Sequence, residues 1–280
     1  MKLLRYGPPG REKPGIIDVA GRIRDLSGVI ADLAPEQLAP TALHRLRQLD
    51  VAGLPLVGGD PRIGPCVAGI PKIVAVGLNY HDHAEEAKMK APSEPVLFMK
   101  AVSSLCGPND DVVLPRGATK GDWEVELGIV IGSKAQYVSE ADAMKHVAGY
   151  CIVNDVSERA FQLERGTQWS KGKSADTFCP TGPWLVTADE IPNPQALDLV
   201  CKVNGQVMQH GSTGRMIFGC ATIVSYISRF MTLMPGDLIP TGTPAGVGLG
   251  RNRYLAPGDV MELAITGLGA QRQKVVDSPG

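Results

Sequence analysis

Two glutamates stand two residues apart in Asp122-Trp123-Glu124-Val125-Glu126-Leu127-Gly128. In an extended chain such residues share one face, so Glu124 and Glu126 point the same way. Like charges side by side on a strand repel by about 0.2–1 kcal/mol when exposed, and by more when buried. Solvent, a basic neighbour or a cation can offset that repulsion, so a solvated strand face and a cation site both fit the pair. Asp155, at the end of the run GYCIVND, offers a third carboxylate. Taken alone it also reads as a cap for the helical stretch SERAFQLER that follows. If the three converge, they form an all-oxygen donor set of the kind that suits Mg²⁺, or Mn²⁺ or Ca²⁺ in its place. Three single-point ligands on an octahedral ion leave about three positions for water or a chelating substrate.

Other residues could work beside such a site. In Lys171-Gly172-Lys173-Ser174 a lysine could stabilise an anion, although a polar loop in solvent explains the same residues. In Asn79-Tyr80-His81-Asp82-His83-Ala84-Glu85-Glu86, a helical turn makes His83 and Glu86 neighbours at i and i+3. A carboxylate that orients an imidazole is a common way to activate water, and a polar surface helix is the competing reading. The glycine-rich PTGTPAGVGLG, residues 240–250, matches neither a P-loop nor a dinucleotide fingerprint. It reads as a turn packed close to another segment, with Thr243 able to donate a hydrogen bond.

The elements that must hold these residues are short. With 33 glycines and 22 prolines in 280 residues, the chain favours many strands and tight turns. PKIVAVGLN, EPVLFMK, DDVVLP, WEVELGIVIG, GYCIVNDV, GDLIPTGT and GDVMELAI read as strands. Asn204-Gly205, between two apolar runs, predicts a hairpin, and IIDVAGRIRD predicts another. Helices are expected over PEQLAPTALHRLRQLD, over SEADAMKHVAG with Ser139 as N-cap and Gly149 just past its end, over SERAFQLER, and over CATIVSYISRFMTLMPGD up to Pro235-Gly236. HDHAEEAKMK predicts a marginal helix, and the polar segment HDHAEEAKMKAPSE, residues 81–94, is expected to be mobile until substrate binds. Many strands mixed with few helices indicate an α+β, β-rich roll or barrel rather than a doubly wound sheet. A small N-terminal domain, residues 1–69, is expected before a main domain at 70–280.

Composition excludes several roles. A formal net charge of −1 and the lack of a basic stripe argue against nucleic acid as a partner. No apolar run approaches a membrane span, and MKLLRYGPPGR lacks a signal-peptide core, so a cytoplasmic protein is expected. Six scattered cysteines without C-x-x-C spacing predict neither a disulfide framework nor a thiolate zinc site.

Taken in order, GLNYHDHAEE, VLFMK, DWEVELGIVIG, HVAGYCIVNDVSER, KGKSADTFCPTGPW, VNGQVMQ and PGDLIPTGTPAGVG resemble the catalytic domain of the fumarylacetoacetate hydrolase family from Pro71 onward. The resemblance implies a mixed β-roll, Mg²⁺ or Mn²⁺ held by Glu124, Glu126 and Asp155, and usually a homodimer. It places the catalytic lysine at Lys173, which Ser174 follows, rather than at Lys171, and the water-activating dyad at His83 and Glu86. It implies substrate contacts from Arg159, Gln162 and Thr243. The implied reaction is hydrolysis of the carbon–carbon bond of a 2,4-dioxo acid, an acylpyruvate or a 2,4-diketo-3-deoxy sugar acid, to pyruvate and a carboxylic acid. The region ERGTQWSKGKSADTF is similar to family members acting on L-fuconate- and L-rhamnonate-derived diketones. The same metal chemistry also serves oxaloacetate decarboxylases, unsaturated-diacid isomerases and proteins labelled ureidoglycolate lyases. The H-x-x-E dyad, which hydrolysis alone requires, favours the hydrolase. A metal-binding protein without activity is the remaining alternative, and the retention of all six catalytic and metal positions argues against it.

Overall fold

The structure is a computed structural model that describes residues 1–86 and 90–279. The chain begins with β1 (Lys2–Tyr6), β2 (Lys13–Ile17), β3 (Ile23–Asp25) and α1 (Pro40–Arg47), followed by β4 (Ile73–Gly77), α2 (His81–Glu86) and β5 (Val96–Lys100). Next come β6 (Leu105–Cys106), β7 (Val112–Leu114), β8 (Gly121–Asp122), β9 (Val125–Ile131), α3 (Glu140–Ala143), β10 (Val147–Asn154) and β11 (Ser157–Glu158). Then α4 (Arg159–Leu163), α5 (Ser170–Lys173), β12 (Cys179–Thr187), β13 (Asp198–Val203), β14 (Gln206–Ser212) and α6 (Cys220–Ile227) follow. The chain closes through β15 (Leu238–Pro240), α7 (Gly248–Arg251), β16 (Val260–Ile265) and β17 (Gly269–Asp277).

The main sheet has the order β3-β2-β1-β12-β10-β9-β15-β4-β5, with β6 added beside β12. A second sheet runs β14-β13-β16-β17-β7, and β8 pairs with β11. This is the expected strand-rich α+β architecture; among the described residues the main path runs from edge to edge and does not close into a barrel. β9 and β10 are buried along their whole length, so their apolar residues supply core on both faces. One core cluster joins Val125, Leu127 and Ile129 of β9 to Leu199 and Cys201 of β13 and Met261 and Leu263 of β16. A second joins Leu3, Leu33, Leu38 and Val67 to Ile73, Val130, Cys151 and Leu238.

The Asn204-Gly205 hairpin forms as expected, with φ of 53° and 76° at the two turn residues, the left-handed pair that a tight hairpin needs. Ser139 caps α3, its hydroxyl accepting from the Asp142 amide at 3.2 Å. Other elements differ from the sequence reading. Gly149 lies inside β10 rather than past a helix end, because a Cβ there would come within 2.1 Å of the Val186 carbonyl of β12. The helix predicted from Pro35 starts only at Pro40, since Ala39 before that proline is held extended. α6 stops at Ile227, well short of Pro235. There a passing loop takes over the groups of Ser228, the residue after the helix: the Tyr137 amide donates to its carbonyl at 3.0 Å, and the Val138 amide donates to its hydroxyl at 3.1 Å. β1, β12 and β17 were not foreseen; prolines and glycines within β12 disguise its period.

Candidate active site

Glu126 is the second residue of β9, and Glu124 lies just ahead of it, where the chain passes from β8 into β9. Asp155 follows the last residue of β10, and its amide donates to the Glu124 carbonyl at 2.9 Å, which locks the two strand ends together. One carboxylate oxygen from each of Glu124, Glu126 and Asp155 lies within 4.8 Å of the others. All three side chains are buried. Glu158, not Asp155 or Ser157, caps α4, its carboxylate accepting from the Ala160 amide at 3.0 Å. Asp155 is therefore free of the capping duty that the sequence left open.

Cations surround this cluster. Lys173 Nζ donates to Glu124 Oε2 at 2.7 Å and to Asp155 Oδ2 at 2.8 Å. Lys100 Nζ donates to Asp155 Oδ1 at 2.6 Å. Arg159 donates to Glu124 Oε1 at 2.6 Å, to Asp122 Oδ2 at 2.7 Å and to Gln162 Oε1 at 2.9 Å. Burial works against the charge of Glu124, but Lys173 and Arg159 prevail and hold its carboxyl well below the ordinary range. Burial likewise disfavours the Lys173 ammonium, yet Asp155 and Glu124 raise its pKa, so it stands as a fixed positive charge rather than a base.

Glu126 differs from its neighbours. Among the described residues its hydrogen-bond partner is the Gly242 amide at 2.8 Å. Burial, reinforced by Asp155 and Glu124, pushes its carboxyl well above the usual value. Four buried acids, Asp122, Glu124, Glu126 and Asp155, face three buried cations, Lys100, Arg159 and Lys173. The shortfall lies at Glu126, where a hard divalent cation would supply it. The donor set and the uncompensated charge both fit a metal ion.

The cluster forms one side of a cavity of about 350 Å³ that is also lined by His83, Glu86, Arg159, Gln162, Lys173 and Thr243. Of the catalytic, metal and substrate-contact residues expected from the sequence, all but Asp155 line this cavity, and Asp155 accepts from Lys173, which does. His83 Nδ1 sits 3.5 Å from Glu86 Oε2, long for a hydrogen bond, and has no other partner among the described residues. Both Glu86 oxygens accept from the Gly246 amide, at 3.0 and 3.1 Å. His81 is exposed and does not line the cavity. The Thr243 hydroxyl is already engaged, donating to the Val125 carbonyl at 2.9 Å and accepting from Gln209 at 2.7 Å. The mobility expected for residues 81–94 falls in part on 87–89, which lie outside the described residues.

The loop after β15 explains its glycines. Its amides at Gly242, Gly246 and Gly248 donate to Glu126, Glu86 and Asp122 in turn. Gly242 and Gly246 have φ of 97° and 106°, and a Cβ at Gly246 would lie 2.0 Å from the Met208 carbonyl. Sequence reasoning missed Lys100 and Asp122. A lone lysine closing the apolar run VLFMK, and an acid two residues before Glu124, were the available signals.

A mixed-sheet scaffold that gathers three carboxylates, a charged lysine and a histidine–glutamate pair at one cavity defines a metal-assisted hydrolytic enzyme. The comparisons with known proteins make that class specific. Residues 72–276 match the family described as "Fumarylacetoacetate (FAA) hydrolase C-terminal", and the chain belongs to the fumarylacetoacetate hydrolase family. It is 59% identical to a 2,4-didehydro-3-deoxy-L-rhamnonate hydrolase of Sphingomonas sp. (strain SKA58), over 98% of this chain and 96% of the relative. Its fold superposes on a fumarylacetoacetate hydrolase from Exiguobacterium antarcticum with a TM-score of 0.86 and 34% identity, over 99% and 100% of the two chains. It also superposes on a maleylpyruvate hydrolase from Sphingobium sp. SYK-6, determined with manganese(II) and pyruvate, with a TM-score of 0.83 and 28% identity over the full length of both. The protein is thus a hydrolase of this family with a divalent-metal site and a small-molecule substrate. No helix among the described residues is long and apolar enough to cross a membrane.

Proposed function

We propose that this enzyme hydrolyses the C3–C4 bond of a 2,4-dioxo acid, of the acylpyruvate or 2,4-diketo-3-deoxy sugar-acid type, to pyruvate and a carboxylic acid. The observation that carries this reading is the uncompensated Glu126 beside Glu124 and Asp155, on a cavity that also holds Lys173 and the His83–Glu86 pair. Glu124, Glu126 and Asp155 would hold Mg²⁺ or Mn²⁺, which when bound supplies Lewis acidity toward the substrate's 2-oxo oxygen. Lys173, kept charged by Asp155 and Glu124, adds a fixed positive field where negative charge grows as the C3–C4 bond breaks. His83, oriented by Glu86, takes a proton from the water that attacks C4. The bond's electron pair passes to C3, which becomes the methyl group of pyruvate after protonation, and the acyl group leaves as a carboxylate. Arg159, held by Asp122, and Gln162 line the cavity at hydrogen-bonding reach of each other and would bind the substrate's oxygen atoms. Thr243 would complete the substrate's surroundings from the loop that carries Gly242.

The same reading includes a small N-terminal unit, 1–69, supporting a catalytic region at 70–280, a homodimer or larger homo-oligomer, and a cytoplasmic setting. Exposed apolar side chains at Tyr137, Phe230 and Met234 support self-association. The test is pyruvate release from a panel of 2,4-dioxo acids, with oxaloacetate as the decarboxylation control. Pyruvate should appear from an acylpyruvate with Mg²⁺ or Mn²⁺, disappear with EDTA, and return on adding back metal. Glu126→Gln should weaken metal binding strongly. Full activity after chelation, or turnover of oxaloacetate alone, would overturn the proposal.

A further inference from the structure

The cavity's charged atoms are gathered on one side, and much of the remaining wall is apolar: Leu78, Phe98, Leu163, Trp169, Val247 and Leu249. Phe98 and Trp169 form the most fixed part of it. Their rings meet edge to face, with centroids 5.5 Å apart and planes at 60°. Gly77 makes room for the indole, since a Cβ at that position would stand 2.5 Å from Trp169 Cζ3. The turn bearing Trp169 is tied to β5 by the Ser170 hydroxyl, which donates to the Met99 carbonyl at 2.7 Å, and is closed on itself by the Gly172 amide, which donates to the Trp169 carbonyl at 2.9 Å. One helical turn further on, Lys173 Nζ lies 5.1 Å from the centre of the Phe98 ring. The aromatic wall therefore begins about one ring away from the ammonium group at the reacting end.

Resting on the hydrolase reading above, we propose that Trp169, backed by Phe98, is a specificity-determining residue that limits the substrate's tail beyond C4 to a short, uncharged group with an apolar end. The rings offer dispersion and exclusion of water but no partner for a charge. Arg159 and Lys173, the arginine and lysine among the described lining residues, are both held by Glu124 at the metal end, where the hydrolase reading has them serve the reacting end of the substrate rather than its tail. A tail ending in carboxylate would be buried there without a counter-charge. The volume is at the small end for a ligand pocket, and an indole held between Gly77 and Phe98 on a turn tied to β5 yields little to a longer chain. A deoxy sugar-acid diketone whose last carbon is a methyl group meets these conditions, as does a short-chain acylpyruvate; a dicarboxylic acylpyruvate does not.

The experiment compares wild type, Trp169→Ala and Trp169→Phe across acylpyruvates with unbranched tails of one, two, four and six carbons and one carboxylate-ended tail. In the wild type, kcat/KM should fall by about tenfold or more between the two- and six-carbon tails, and the charged tail should rank last. Trp169→Ala should reverse or flatten that ratio, with Trp169→Phe in between. An unchanged ratio in both variants, or a wild type that prefers the charged tail, overturns the proposal. Calorimetric binding of unbranched 2-oxo monoacids to the Mn²⁺-loaded proteins reads the same wall without turnover. Length discrimination relieved in Trp169→Ala supports the wall even if no acylpyruvate is cleaved, a result that would sink the hydrolase reading alone. Affinities independent of length in the wild type overturn the wall whatever the activity.

Discussion

Each buried charge in the site has a distinct duty that its neighbours set. Lys100, fully buried, joins Asp155 to the carbonyl groups of Val156 and Lys173, so one ammonium fixes both a metal-site carboxylate and the turn that carries Lys173. Lys100→Met would leave those acceptors without their donor, and removing one partner of a buried pair costs about 3–5 kcal/mol. Urea unfolding should show that loss, and Mn²⁺ titration should show weaker binding; an unchanged midpoint and affinity would make Lys100 dispensable. The two histidines of α2 separate just as clearly. His83 lines the cavity beside Glu86, and His81 faces solvent. His83→Ala should lower kcat by roughly 10²–10⁴-fold, with Mn²⁺ affinity nearly intact, and His81→Ala should do much less. Equal losses would show that the dyad has been placed on the wrong residue.

At the scale of elements, Glu86 docks α2 on the loop after β15, and Asp82 pairs with Arg215 at 3.5 Å. Among its described residues α2 buries Ala84, and six residues by themselves are too few to be helical unaided. Burial opposes ionisation of Glu86, but the nearby His83 and the Gly246 amide outweigh it and lower its pKa below the ordinary value. A carboxyl with a depressed folded-state pKa stabilises the docked helix fully above its unfolded pKa. That contribution is lost as pH falls through the depressed value. Amide protection factors across residues 81–86 should therefore fall with acidification in this window. Glu86→Gln should lower them at neutral pH and remove the dependence. Protection that is high and insensitive to pH in both proteins would mean that other contacts hold α2.

Across the whole molecule, the first seventy residues complete the main sheet instead of standing apart from it. β1 pairs with β12, and Leu33 and Leu38 pack in one cluster with Val130 of β9 and Cys151 of β10. Arg62 bridges Glu12 to Asp110 across the same boundary. The face of β9 and β10 opposite the second sheet is thus covered by the N-terminal segment, while their ends carry Glu124, Glu126 and Asp155. Leu33→Ala should cost about 2–5 kcal/mol, as for other buried leucines, and should unfold the N-terminal and catalytic regions together. Two separate thermal transitions, with activity surviving the first, would show that the site does not depend on this support.

The sequence by itself supplied the candidate residues, the family resemblance and several local turns and caps. The E-x-E spacing, Asp155 at a strand end and H-x-x-E in one helical turn are short-range patterns that local geometry makes readable, whereas the choice of Lys173 over Lys171 came from the family resemblance. The Asn204-Gly205 hairpin and the Ser139 cap were legible for the same reason: the backbone conformation at those positions follows from the residue itself. Only the tertiary structure decided what depends on distant partners. α6 ends at Ile227 because another segment takes the carbonyl of Ser228, the residue after it, and Gly149 belongs to a strand because β12 passes within contact of it. Lys100 and Asp122 entered the site in the same way. Nothing in their own neighbourhood marks them, and what makes them functional is a buried opposite charge 55 residues away for Lys100 and 37 residues away for Asp122. Whether Glu124 and Glu126 faced water or a cation was likewise open in the sequence, because desolvation and the count of neighbouring charges exist only once the strands have packed.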